Sequence, residues 1–247
     1  MDLGLRGRTA IVTGASAGMG LAIAEALSDE GANVAMFARR RDVLEREAER
    51  LGALAVRGDL TVAADLERLV ERTLEAFHGV DILVLNGGGP SPGRAVELQP
   101  DQVEDALALL FLPFVRLTAL CLAHLRASGR GRMILIESTS IKQPIENLVL
   151  SNAVRPGIAG WAKTLSRELG PDGITVNTIA PGWIDTERVR VMYGGAPPAE
   201  AVADVPLGRL GRPREIADVV CFLSSEQASY VTGAVVSVDG GAGRGIW

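Results

Sequence analysis

Along most of the chain, short apolar runs alternate with stretches in which apolar residues recur at helical spacing. Seven runs are nearly all apolar: 9–14 (TAIVTG), 33–38 (NVAMFA), 53–58 (ALAVRG), 81–87 (DILVLNG), 132–138 (RMILIES), 174–182 (ITVNTIAPG) and 234–241 (AVVSVDGG). Strands without polar alternation are buried on both faces, as in a parallel sheet. Helical patterns run between them over 18–30, 41–51, 62–77, 101–127, 148–169 and 213–223. Strand then helix, repeated, requires right-handed crossovers. The pattern therefore predicts an α/β fold of Rossmann type, a doubly wound, seven-stranded parallel sheet with helices on both faces, spanning 1–247 as a single domain. The glycine of SDEGAN is placed to close the first helix, and Pro213 to open the last, with Glu215 in its first turn. One segment breaks the rhythm. Residues 185–207 lack a strand pattern and carry Gly-Gly and Pro-Pro centrally, as a lid or binding loop would.

Composition narrows the function classes. The chain is 47% hydrophobic and 22% charged with a net charge of -5, which excludes a disordered chain and gives no support for a nucleic-acid partner. The N-terminus has charges early and only a short apolar run, so it resembles neither a secretory signal nor a membrane span, and a cytoplasmic location is expected. Cys121 and Cys221 stand alone in apolar surroundings, as buried small hydrophobes do. The only histidines, His78 and His124, belong to no ligand-like cluster, so no metal is expected.

The first chemical signal is TGASAGMG at 13–20, which follows the first predicted strand and opens the first helix. Gly14, Gly18 and Gly20 permit a tight turn and close backbone approach; Ser16 and Met19 complete it, and the helix start beyond offers free N–H groups to a pyrophosphate. A glycine turn alone is equally a tight strand-to-helix connection; its place after the first strand favours a nucleotide. The second strand ends in MFARRRD. An acidic residue there would accept from a free ribose 2′-OH, whereas Arg39 and Arg40 can grip a 2′-phosphate, which points to NADP(H) over NAD(H). The other reading of these arginines is a solvated helix start.

These motifs, together with GDL at 58–60, NGGG at 86–89, SREL followed by GITVNTIAPG, and the C-terminal PLGRLGRPREIADVVCFLSSEQASYVTGAVVSVDGG, resemble the short-chain dehydrogenase/reductase family from end to end, nearest in look to its 3-oxoacyl-acyl-carrier-protein reductase-like members. The resemblance implies that Asp59 and Leu60 lie against the adenine, that Asn86, Gly87 and Gly88 line the cofactor floor, and that Pro181, Gly182 and Thr186 sit beside the nicotinamide half. The family's usual NNAG is NGGG here, which loosens the turn but keeps close backbone approach. Asn86 also has a structural reading, as a tie between neighbouring strands. By the same resemblance the C-terminal helix and last strand would mediate a homotetramer.

The reaction end departs from the family. Its members pair a strand-end serine with a tyrosine thirteen residues later and a lysine four beyond, one helical turn apart; the ammonium lowers the phenol's pKa from ~10 so that it can exchange the carbonyl proton near neutrality. Here the serine is Ser138, but the tyrosine and lysine positions hold Ser151 and Arg155, and an asparagine of the long helix is replaced by Leu110. A serine hydroxyl is shorter and far less acidic than a phenol, and a guanidinium does not give up a proton. Lys142, four residues after Ser138, is a candidate acid, or an exposed loop lysine. Tyr193 lies in the predicted lid, Tyr230 in a structural motif, and Lys163 a turn too far along the helix. Glu137 and Glu146 flank the cleft as bases or, more in keeping with the nearby cations, as ion-pair partners. Asn152 could orient a polar substrate, and Arg188 and Arg190 could meet an anionic group or face water.

Two readings follow. One is an NADP(H)-dependent oxidoreductase acting on a carbonyl or alcohol with Ser138 retained and Ser151, Arg155 and Lys142 in altered roles. The alternative is an impaired NADP(H)-binding protein serving as a sensor or partner subunit.

Overall fold

The computed structural model describes residues 2–192, 194 and 202–245. Seven parallel strands form one sheet: β1 (Thr9–Thr13), β2 (Asn33–Ala38), β3 (Leu54–Arg57), β4 (Ile82–Asn86), β5 (Arg132–Ile136), β6 (Thr175–Pro181) and β7 (Val235–Val238), in the order β3-β2-β1-β4-β5-β6-β7. The chain winds outward from β1 to one edge, then returns and winds from β4 to the other. The crevice between β1 and β4 is therefore the switch point, where such sheets bind ligands.

Every residue of β1, β4, β5 and β6 is buried, as their uninterrupted apolar runs require. Two apolar layers result. On one face α1 (Gly18–Asp29), α2 (Arg41–Leu51) and the C-terminal α8 (Pro213–Ser224) cover alternate strand residues such as Val12, Val84 and Ile134. On the other, α3 (Ala63–Phe77), α5 (Leu112–Ala127) and α6 (Val149–Glu168) cover Ile11, Leu83 and Leu135. The alternation is the strand period of two made visible.

Two expectations are corrected. The predicted helix over 101–127 is two helices, α4 (Pro100–Leu110) and α5, joined at Phe111, where φ -103 and ψ -53 depart from helical values and Pro113 has no N–H to continue the ladder. The pair is long and apolar enough to cross a membrane by composition, but Ala106, Leu110, Phe114, Leu117, Cys121 and Leu125 are spent on the core. The segment from 185 is not wholly irregular: α7 (Glu187–Met192) forms its start. Tyr193 lies outside the described residues.

Candidate active site

A cleft of about 760 Å³ opens along the C-terminal ends of β1, β2 and β4. At its centre is the turn from β1 into α1. Gly14 has φ 63, in the left-handed region, and a Cβ there would lie 2.9 Å from the Asn86 carbonyl oxygen. On Gly20 a Cβ would come within 2.2 Å of the Gly14 carbonyl oxygen. Side chains at either place would fill the cradle, so the turn fits a phosphate that must approach backbone N–H groups. Ser16, Gly18 and Met19 line the same wall, and a Cβ on Gly18 would stand 3.4 Å from the Thr186 methyl across the mouth. Asn86 does both jobs considered for it. It lines the cleft, and its side-chain amide donates to the Thr13 carbonyl (3.1 Å) while its backbone N–H donates to Thr13 Oγ1 (2.9 Å), tying β4 to β1.

At the outer end, Arg39 and Arg40 line the cleft with Asp59 and Leu60. The Arg39 guanidinium stands 3.8 Å from the Asp59 carboxylate and Arg40 3.3 Å from Glu187 of α7, so neither arginine is simply solvated. Exposed pairs of this kind are worth about 0–1 kcal/mol, little enough for a phosphate to displace. Gly87, Gly88 and Gly89 floor the inner end. Pro181 ends β6, and a Cβ on Gly182 would lie 2.7 Å from that of Asp239; neither Pro181 nor Gly182 lines the cleft, so Gly182 is explained by strand packing.

At the reaction end, β5 carries the chain into Glu137 and Ser138, and a short 3-10 turn (Thr139–Ile141) follows. Ser138 is half-buried, and its Oγ accepts from the Ser140 backbone N–H at 3.1 Å, which leaves its hydroxyl proton free to donate. From α6, Ser151 and Arg155 project one turn apart into a closed polar cluster. Ser151 Oγ lies 3.0 Å from Ser140 Oγ and accepts from Arg155 Nε at 3.1 Å. Arg155 is otherwise spent: Nη1 donates to Glu137 Oε2 at 2.8 Å, and Nη2 to the Gly88 carbonyl at 3.0 Å. All five donors of a guanidinium lie in one plane, and here each edge has a fixed acceptor.

Glu137 is the least comfortable group in the cluster. Its side chain is fully buried and Oε1 has no hydrogen-bond partner. Burial pushes its carboxyl up to about 7, a rise that Arg155 opposes by charge and hydrogen bonding without cancelling it. Leu110 is packed in the core, so no polar side chain stands where the family carries asparagine.

The remaining candidates separate. Lys142 is half-buried but does not line the cleft, and no hydrogen bond or ion pair holds its ammonium among the described residues. Asn152 is turned to its own loop, bonding the Ile145 N–H and carbonyl at 3.0 and 2.8 Å, so it is a structural clasp. Glu146 is exposed, Lys163 donates to the Gly233 carbonyl at 2.9 Å, and Tyr230 is fully exposed. Arg190 donates two hydrogen bonds to the Asp185 carboxylate, both at 2.8 Å. Arg188 lines the cleft against Gly89. Sequence reasoning missed Ser140 as the link between Ser138 and Ser151, although its place two residues after a strand-end serine is where a capped turn puts a hydroxyl. Both cysteines are buried, and no three potential metal ligands gather among the described residues.

A glycine cradle at the switch point of a parallel sheet, leading to a strand-end serine, defines a dinucleotide-binding α/β protein. The model of the family described as enoyl-(acyl carrier protein) reductase matches residues 14–243. The chain is 34% identical to the 3-oxoacyl-(acyl-carrier-protein) reductase FabG of Vibrio cholerae over 243 residues, 97% of this chain and 98% of the relative. Its fold superposes on that of L-sorbose reductase from Gluconobacter frateurii, solved with NADPH and L-sorbose, with TM-score 0.93 and 32% identity over 100% of both chains. An NADPH-bound short chain oxidoreductase from Pseudomonas aeruginosa PAO1, described as containing an atypical catalytic center, matches with TM-score 0.90 and 29% identity over 96% of this chain and 97% of that one. The chain belongs to the short-chain dehydrogenase/reductase family of oxidoreductases, and it resembles the 3-oxoacyl-(acyl-carrier-protein) reductases within it.

Proposed function

We propose that the protein is an NADP(H)-dependent oxidoreductase that interconverts a carbonyl and an alcohol without the family's tyrosine acid. The observation that carries this is the continuity of the cleft: Gly14 to Gly20, Arg39, Arg40 and Gly88 line one space, and Arg155 fastens Gly88 to the cluster beside Ser138. The solved relatives with bound NADPH support the choice of cofactor. When bound, that cofactor supplies or takes a hydride.

The chain's own residues orient and polarise. Ser138 donates its free hydroxyl proton in a hydrogen bond to the substrate oxygen. Ser151 and Arg155 hold the floor rather than move protons, and Lys142 loses its candidacy as the acid for want of a contact with this cluster. Charge developing on the substrate oxygen is then neutralised by water, because neither a serine nor a guanidinium releases a proton readily at neutral pH. Turnover is slow by the standard of members that keep tyrosine and lysine. In this reading the segment 185–207 is the substrate loop, of which residues 193 and 195–201 lie outside the described residues.

Titration of NADPH fluorescence gives saturable binding, and steady-state assays on a panel of ketones and alcohols give turnover that Ser138→Ala lowers by about tenfold or more. Replacing Arg39 and Arg40 together by alanine weakens NADPH about tenfold or more and leaves NADH within about twofold, since only the former carries the 2′-phosphate. Binding without turnover above the Ser138→Ala background favours the second reading, an NADP(H) sensor or partner subunit; the inward bonding of Ser151 and Arg155 is the feature on its side.

The same reading takes the protein as a cytoplasmic homotetramer. Leu107, Leu112 and Val115 on α4 and α5, and Phe222 and Tyr230 around α8, are large exposed hydrophobics that such an assembly covers. Sedimentation velocity gives a single species of about four chains; a monomer at micromolar concentration sinks this part.

A further inference from the structure

The cations of the cleft are not all accounted for. Arg155 is bonded to Glu137, Ser151 and Gly88; Arg190 to Asp185; Arg40 faces Glu187, and Arg39 faces Asp59. Among the described residues, Asp59 and Glu187 are the only ones with a carboxylate side chain that line the cleft. Arg188 is left. Among the described residues no hydrogen bond or ion pair holds its guanidinium, and the charged neighbour it feels is Arg155, of like sign. Surrounding protein and that neighbour both lower its pKa, so its charge is held there at a cost.

Its position is defined by the glycines beneath it, although the residue as a whole is exposed. The guanidinium lies over the inner glycines: a Cβ on Gly89 would meet Nη2 at 2.6 Å and Cζ at 3.0 Å, and one on Gly88 would stand 3.6 Å from Nη1. A side chain at 89 would displace the end of Arg188 from this place, whereas glycine lets the guanidinium lie flat against the backbone. Position 89 is glycine in the family's NNAG as well. At 88, where this chain departs from it, a Cβ would make only ordinary contact with the guanidinium, so the departure itself is not what admits the arginine brought in by α7. Gly88 is also the residue that Arg155 fastens, so Arg188 stands at the reaction end of the cleft and not at the Gly14–Gly20 cradle. An unpaired guanidinium at the mouth of a cleft, open to solvent on one side, favours a planar oxyanion that it can grip with two parallel hydrogen bonds.

We propose that Arg188 is an oxyanion-binding residue of the cleft, placed to hold the carboxylate of an oxo-acid substrate over Gly88 and Gly89. This rests on the oxidoreductase reading for the word substrate, but the site itself can be tested without turnover. The competing source of the same chemistry is a phosphate of the cofactor.

The test titrates the NADP⁺-loaded protein calorimetrically with straight-chain 2-oxo acids, from pyruvate to 2-oxooctanoate, and with the corresponding neutral amides. With oxidised cofactor a ketone has no hydride to accept, so binding alone is read. At least one acid is expected to bind about tenfold or more tighter than its amide; Arg188→Ala removes that preference and Arg188→Lys restores part of it. NADPH affinity, read by fluorescence, stays within about twofold in both variants. Equal binding of acid and amide across the series, or a preference that survives Arg188→Ala, overturns the proposal. So does a tenfold loss of NADPH affinity in Arg188→Ala without an acid preference in the parent, which assigns the arginine to the cofactor's phosphate. Failure of the oxidoreductase reading looks different: the acid preference stands while no ketone is turned over with NADPH.

Discussion

Gly20→Ala is expected to abolish measurable NADPH binding and to destabilise the fold at the same time. The new Cβ would sit 2.2 Å from the Gly14 carbonyl oxygen and 2.7 Å from Asn86 Nδ2. Neither neighbour can yield cheaply. Gly14 is backbone in a left-handed conformation, and Asn86 is fixed by its bonds to Thr13 on β1. Relief therefore requires α1 to move away from the end of β1, which takes the helix-start N–H groups off the phosphate position. Overpacking of this kind costs about 1–3 kcal/mol of stability, read by chemical denaturation. Loss of the cradle geometry lowers affinity by about a hundredfold or more, read by NADPH fluorescence. Gly157→Ala on α6 is the control, because a Cβ there meets nothing within 4 Å. It should raise stability by about 0.5–1 kcal/mol through helix propensity and leave binding alone. Parent-like NADPH affinity in Gly20→Ala would remove the turn from the cofactor site.

The strands were legible because β1, β4, β5 and β6 are buried on both faces, so burial leaves a continuous apolar run that needs no tertiary information to read. The cradle was legible for a related reason: only glycine fits where backbone meets backbone, and Gly14 and Gly20 mark the contact in the sequence itself. The break at Phe111 was less so, since apolar spacing continues across it and only Pro113 hints at a new helix start. The reaction end divides in the same way. The register of Ser138, Ser151 and Arg155 follows from counting along one strand and one helix. Of what Arg155 touches, Ser151 lies one turn away on the same helix and Glu137 was expected as an ion-pair partner, but the Gly88 carbonyl, which comes from the loop after β4, was not legible. Lys142 illustrates the converse. Proximity in sequence to Ser138 made it a candidate acid, but the 3-10 turn after Ser138 returns Ser140, not Lys142, to the cluster.

Glu137 and Arg155 are expected to be nearly worthless as a pair and costly to separate. A buried ion pair gains attraction but loses hydration, and the two nearly cancel; removing one partner leaves the other's desolvation uncompensated. Arg155→Met should therefore lower stability by about 3 kcal/mol at pH 8, whereas Glu137→Gln with Arg155→Met should recover most of that loss. The pH dependence separates this from a simple packing defect. In the parent, Glu137 titrates in the folded state about 7, above the ordinary carboxylate value of 4.5. The folded state thus binds more protons than the unfolded one between those values, so this group's contribution falls as pH rises through that window and levels off above it. Arg155 supplies both of the influences that hold the value down, its charge and its hydrogen bond. Without it the folded carboxyl titrates higher still, and stability should keep falling beyond pH 7 at up to about 1.4 kcal/mol per pH unit. The double variant has no such group and should lose the slope. Urea unfolding of the three proteins from pH 5 to 9 reads all of this at once. An Arg155→Met curve parallel to the parent's would mean that the guanidinium does not hold the Glu137 charge, and that the helix carrying Ser151 is fixed against the floor of the cleft by packing alone.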